Sequence, residues 1–102
     1  MSFDTLTLSS KIVATISSQF RKPTEIQQAA IPVIIAKKDI LALAQTGSGK
    51  TLAFGLPLLN NINQDVHELQ ALIIVPTREL ASQVTESLEP IATALDIKLV
   101  TL

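Results

Sequence analysis

An apolar run, Ile40-Leu41-Ala42-Leu43-Ala44, passes without a break into Gln45-Thr46-Gly47-Ser48-Gly49-Lys50-Thr51, and apolar residues at helical spacing, Leu52, Leu56, Leu59 and Ile62, follow at once. A continuous apolar run of this kind reads as a strand buried on both faces. The order strand, small-residue turn, helix leaves few architectures open. Apart from alanine in first place, residues 44–51 fit the pattern G-x-x-x-x-G-K-[ST]. Its chemistry explains its composition. Gly47 and Gly49 let the backbone turn tightly and come close to a ligand. The freed N–H groups and the positive end of the following helix suit phosphate oxygens. Lys50 then lies along the β- and γ-phosphates, and the Thr51 hydroxyl faces Mg²⁺.

The rest of the chain alternates in the same way. Residues 6–8 read as extended. Ser9 or Ser10 caps a helix over about 10–19, carrying Ile12, Val13 and Ile16, with Phe20 one turn on as a core aromatic. Pro23 ends it. Thr24-Glu25-Ile26-Gln27 is a capping box, and the helix it opens carries Ile26, Ala29, Ala30, Val33 and Ile34. Pro32 is expected to kink or split that helix. Residues 50–61 form the helix after the glycine turn, weakened at Gly55 and Pro57. Residues 71–75, Ala-Leu-Ile-Ile-Val, are a second buried strand ended by Pro76. Thr77 caps a helix over 78–94 with Leu80, Ala81, Val84, Leu88 and Ile91 on one face, and a third strand starts at Ile97. Apolar strands joined by helical crossovers pair in parallel, so the expectation is a doubly wound α/β sheet of three strands, incomplete as it stands.

Composition narrows the functions. There is no cysteine, which excludes disulfides and thiolate metal sites, and the net charge of −1 excludes a basic nucleic-acid tail. The three aromatic residues, Phe3, Phe20 and Phe54, are too few for a base-stacking sheet. No run reaches the roughly 18 apolar residues of a membrane span, and the N-terminus lacks the charged start and apolar run of a signal peptide. A soluble cytoplasmic protein with no membrane contact is the expectation.

Three segments together resemble the DEAD-box family of ATP-dependent RNA helicases. Phe20-Arg21-Lys22-Pro23-Thr24-Glu25-Ile26-Gln27 looks like that family's Q motif, with Phe3 at the expected distance upstream. The phosphate loop has the family's own alanine start. Pro76-Thr77-Arg78-Glu79-Leu80-Ala81 looks like its motif Ia. The resemblance covers essentially the whole chain and implies a RecA-like P-loop NTPase fold, divided as a Q-motif region over 1–31 and the N-terminal part of the ATP-binding domain over 32–102. It also implies ATP and Mg²⁺ as cofactors, the nucleotide being held by Phe3, Lys22, Gln27, Ala44, Gln45, Thr46, Gly47, Ser48, Gly49, Lys50 and Thr51. Gln27 would meet the adenine edge, Phe3 its face, and the backbone at Lys22 its amino group. Lys50 and Thr51 would serve catalysis, Thr51 as the Mg²⁺ contact. Thr77 and Arg78 would grip the RNA backbone without reading sequence, while protein partners stay unknown.

Plainer roles compete at several positions: helix capping for Gln27 and Thr77, a core aromatic for Phe3, a solvated arginine for Arg78. Glu79 suits a first helical turn, Lys37-Lys38 and Arg21-Lys22 read as solvated turns, and His67 as a surface residue. Two departures from the family pattern stand at Gln19, where glycine is usual, and Glu25, where proline is common.

Hydrolysis needs acids for Mg²⁺ and for the attacking water. In the family these come from an Asp-Glu-Ala-Asp segment, which these 102 residues do not contain. Two readings follow: the ATP-binding portion of a helicase whose activity belongs to a longer protein, or a non-catalytic nucleotide-binding or interaction fragment. A GTPase is disfavoured because no Asn-Lys-x-Asp segment is present. The strand at 40–44 is expected to lack its neighbour, leaving the isolated chain marginal in stability and without RNA-stimulated ATPase activity.

Overall fold

Short side chains that hydrogen-bond their own backbone set where the helices begin. In the computed structural model, which describes residues 3–17, 19–20, 22–43 and 49–102, a 3₁₀ turn at Phe3–Thr5 precedes four α-helices. These are α1 (Ser10–Ile16), α2 (Glu25–Ile35), α3 (Lys50–Asn60) and α4 (Arg78–Ala94). Ser9 caps α1 by accepting the Ile12 N–H at 3.3 Å. Thr24 caps α2 through the complete capping box, and Thr77 caps α4 by accepting the Leu80 N–H at 3.1 Å.

Helix ends are tied to neighbouring helices. The Ser9 N–H donates to Asn60 Oδ1 at 2.8 Å, joining the start of α1 to the end of α3. Asn61 Nδ2 reaches the Ile34 and Ile35 carbonyls at 3.4 and 3.5 Å, where α2 has run out of its own donors. Lys37 (φ 63°) then turns the chain out of α2. Pro32 neither splits nor ends this helix: α2 continues to Ile35. Pro32 has no N–H for the Gln28 carbonyl, so the helix carries on with one internal bond fewer. α2 also crosses the expected division at residue 31, and buried residues from both sides of it share one core.

That core gathers Leu6, Ile12, Ile16, Ile31, Leu56, Leu59, Leu88 and Ile91, with α2 packed most extensively on α3 and α3 on α4. Gly55 has a specific part in it. A Cβ there would lie 2.3 Å from Leu88 Cδ2, so the missing side chain lets Leu88 seat against the backbone of α3. The buried side of α4 is confined to its C-terminal half, at Leu88, Ile91 and Ala92, and Leu80 is exposed.

Several expectations are corrected. Residues 6–8 are not extended: Leu6 N–H bonds the Phe3 carbonyl at 3.1 Å, and Thr7 adopts φ 65°. The turn drives Leu6 and Leu8 into the core. α1 stops at Ile16, where the Gln19 and Phe20 N–H groups both close on its carbonyl, and Phe20 is left exposed instead of buried.

The largest difference concerns the strands. Among the described residues no strand is formed. Residues 40–43 are all exposed, Leu41 and Leu43 at 91% and 90%, where burial on both faces was expected. Along 71–75 burial alternates, with Leu72 and Ile74 outward and Ala71, Ile73 and Val75 half-buried. Ile97 and Leu99 likewise pack on the core while Val100 faces out. The period of two is that of a strand, but the helices cover one side only. A ladder partner and a second layer are what such segments require to be buried on both faces.

Candidate nucleotide site

The capping box of α2 ends against the turn that opens α3. Gln27 is 3% exposed, the one buried polar side chain among the described residues. Its Oε1 accepts the Thr24 N–H at 2.9 Å, its own N–H donates to Thr24 Oγ1 at 3.4 Å, and its Nε2 donates to the Gly49 carbonyl at 3.2 Å. Gly49 has φ 88°, the left-handed region where a Cβ is costly. A Cβ would also stand 2.5 Å from Gln27 Nε2 and 2.8 Å from Thr24 Oγ1. The residue is therefore fixed as glycine twice over.

This contact orients the start of α3. The Gly49 carbonyl accepts from both Gln27 Nε2 and the Ala53 N–H, at 3.2 and 3.1 Å, which uses both of its lone pairs. In a trans peptide the next N–H points the opposite way. Pinning that carbonyl aims the Lys50 N–H outward from the helix. Gly49 offers no side-chain cap to the first N–H groups of α3, which carry the partial positive charge of the helix start. Lys50 is exposed and Thr51 half-exposed on the same turn. Together these groups can hold an anion.

Among the described residues, the Gln27 amide makes two of the four hydrogen bonds a glutamine amide can make, one at Nε2 and one at Oε1. A ligand edge with one donor and one acceptor can meet the other two. Capping and ligand binding, which compete in the sequence, are thus compatible in the structure.

Other expected site residues lie elsewhere or outside the described set. Ala44, Gln45, Thr46, Gly47 and Ser48 are outside the described residues. Lys22 is exposed beside Pro23. Phe3 is 3% exposed and belongs to the hydrophobic core, which is the plainer of the two roles weighed for it. Thr77 and Arg78 stand exposed at the start of α4, with Glu79 in its first turn, and His67 is on the surface. Among the described residues no group of three His, Asp or Glu side chains could hold a metal ion. The Gln27–Gly49 contact is the part of the site that the sequence alone did not show. The complete capping box facing a glycine-rich turn is its nearest signal.

The DEAD/DEAH box helicase family model matches residues 24–102. The chain belongs to the DEAD-box family. It is 50% identical over 88 residues to the ATP-dependent RNA helicase DeaD of Buchnera aphidicola, covering 85% of this chain and 15% of that protein. Its fold matches the RNA helicase Prp28 of Chaetomium thermophilum bound to ADP, with TM-score 0.90 and 34% identity over 99% of this chain and 26% of the other. Dbp5 of Saccharomyces cerevisiae bound to RNA and ADP BeF3 matches with TM-score 0.85 and 34% identity, over 91% and 25%. This DEAD-box chain thus spans less than a fifth of the DeaD relative and about a quarter of the solved neighbours. Its fold is the RecA-like α/β class, with the sheet incomplete.

Proposed function

We propose that this DEAD-box chain is the ATP-binding N-terminal portion of an ATP-dependent RNA helicase, with RNA remodelling carried by the longer protein. The observation behind this reading is the joint between Gln27 and Gly49: a buried amide bonded to the last residue before a helix start that has no side-chain cap from Gly49. One element presents a purine edge with a donor and an acceptor, and the next presents N–H groups to phosphates. The relatives' names, and the ADP in the Prp28 neighbour, support the same assignment.

In this reading Gln27 holds the adenine edge, Gly49 and the N–H groups of α3 cradle the phosphates, and Lys50 neutralises them. The Thr51 hydroxyl, on the first turn of α3, serves Mg²⁺, which when bound offsets phosphate charge. Residues 44–48 complete the loop and Lys22 lends backbone to the base. Thr77 and Arg78, exposed at the capped start of α4, grip an RNA backbone. The acids for water activation are not among the 102 residues, so the chain by itself binds nucleotide without turning it over. The division into a Q-motif region over 1–31 and an ATP-binding part over 32–102 is kept as a description of motifs. No described helix is long and apolar enough to cross a membrane; the cytoplasmic setting is part of the proposal.

Isothermal titration with ADP and Mg²⁺ tests the assignment. Lys50→Ala will weaken ADP binding at least tenfold while leaving helical circular dichroism unchanged, since Lys50 is exposed and packs in no core. Equal affinity in both forms would place the nucleotide elsewhere.

A further inference from the structure

Gln27 is held at both ends of its amide. The Thr24 N–H holds Oε1 and the Gly49 carbonyl holds Nε2, at 2.9 and 3.2 Å. Turning the amide over would set oxygen against the Gly49 carbonyl and NH₂ against the Thr24 N–H, losing both bonds and creating two repulsions. One orientation remains, in a side chain that is 3% exposed.

We propose that Thr24 is a positioning residue for base selection: its backbone N–H, acting with the Gly49 carbonyl, freezes the Gln27 amide so that a guanine cannot be accommodated. This rests on Gln27 as the purine contact. Adenine presents an acceptor, N7, beside a donor, the N6 amino group, and guanine presents two acceptors, N7 and O6. An amide with Nε2 toward N7 and Oε1 toward the neighbouring group satisfies adenine twice. With guanine it sets Oε1 against O6. A mobile glutamine would escape that repulsion by swinging its oxygen aside, and selectivity would fade. A glutamine bonded on its inner side at both ends cannot. Selectivity therefore resides in the rigidity of Gln27 as much as in its chemistry, and the donor responsible is a main-chain group that Thr24 contributes whatever its side chain.

Two variants and the unsubstituted chain separate the possibilities. Thr24 has φ −73°, which proline adopts. Thr24→Pro removes the N–H and sets ring carbon against Oε1 in its place. Thr24→Ala keeps the N–H and loses only the hydroxyl cap. In titrations with ADP and with GDP, the ratio of affinities in Thr24→Pro is expected to fall toward one by about tenfold or more. In Thr24→Ala the ratio is expected to stay at its original value despite lower stability. An unchanged ratio in Thr24→Pro overturns the proposal, and so does an equal loss in Thr24→Ala, which would make the hydroxyl the agent. Equal affinity for ADP and GDP in the unsubstituted chain, or binding of neither, overturns the adenine reading itself. Should Thr24→Pro lose its helical signal, the unsubstituted chain decides. An NOE between adenine H8, which neighbours N7, and the Gln27 Nε2 protons is the expected result. Its absence in a complex that prefers ADP overturns the fixed orientation.

Discussion

Gly49→Ala will abolish nucleotide binding and lower stability together. A non-glycine residue at φ 88° costs about 1–2 kcal/mol. The new Cβ also meets Gln27 Nε2 at 2.5 Å and Thr24 Oγ1 at 2.8 Å, against side chains already committed to the capping box. Crowding of that kind adds about 1–3 kcal/mol. Relief can come only by pushing Gln27 away from the Gly49 carbonyl, which releases the peptide that aims the Lys50 N–H. ADP affinity is therefore expected to fall more than tenfold in titration calorimetry, with the thermal midpoint lowered in the same variant. Lys50→Ala is expected to lose affinity alone. A Gly49→Ala chain that binds ADP normally would show that the Gln27–Gly49 contact has no part in the site.

Leu56→Ala will unfold most of the chain. Leu56 is fully buried on α3, which touches both α2 and α4, so its loss leaves a cavity at the meeting point of three helices. Leucine-to-alanine changes in such positions cost about 2–5 kcal/mol. Small domains have about 5–15 kcal/mol in total, and here the apolar segments at 40–43 and 71–75 contribute little burial. Helical circular dichroism at 25 °C is expected to drop by more than half. Leu72→Ala, at an outward position 67% exposed, is the control and is expected to leave the signal in place.

What could be read in the sequence follows how local each determinant is. Ser9, Thr24 and Thr77 cap helices through bonds within three residues, so the starts of α1, α2 and α4 were visible in advance. The helix after the glycine turn and its buried Leu52, Leu56 and Leu59 were equally plain. The contacts that complete the site were not. Gln27 reaches Gly49 across 22 positions, and Gly55 earns its place through Leu88 on another helix. Phe3 packs in the core and Phe20, expected there, is exposed, because the turn at Thr7 folds Phe3 inward while α1 ends too early to bury Phe20. The strand-like runs at 40–44 and 71–75 announce their composition, but burial on both faces depends on layers beyond their own residues.

The central claim is that the Gln27–Gly49 joint and the first turn of α3 form one nucleotide site. An ¹H–¹⁵N titration of the chain with ADP and Mg²⁺ tests it most directly. The backbone amides of Gly49, Lys50 and Thr51 and the Gln27 side-chain amide are expected to shift together along one saturating curve, while amides of Leu88, Ile91 and Ala92 in α4 stay still. Shifts confined to other elements, or a Gln27 amide that does not respond while Lys50 does, would contradict it.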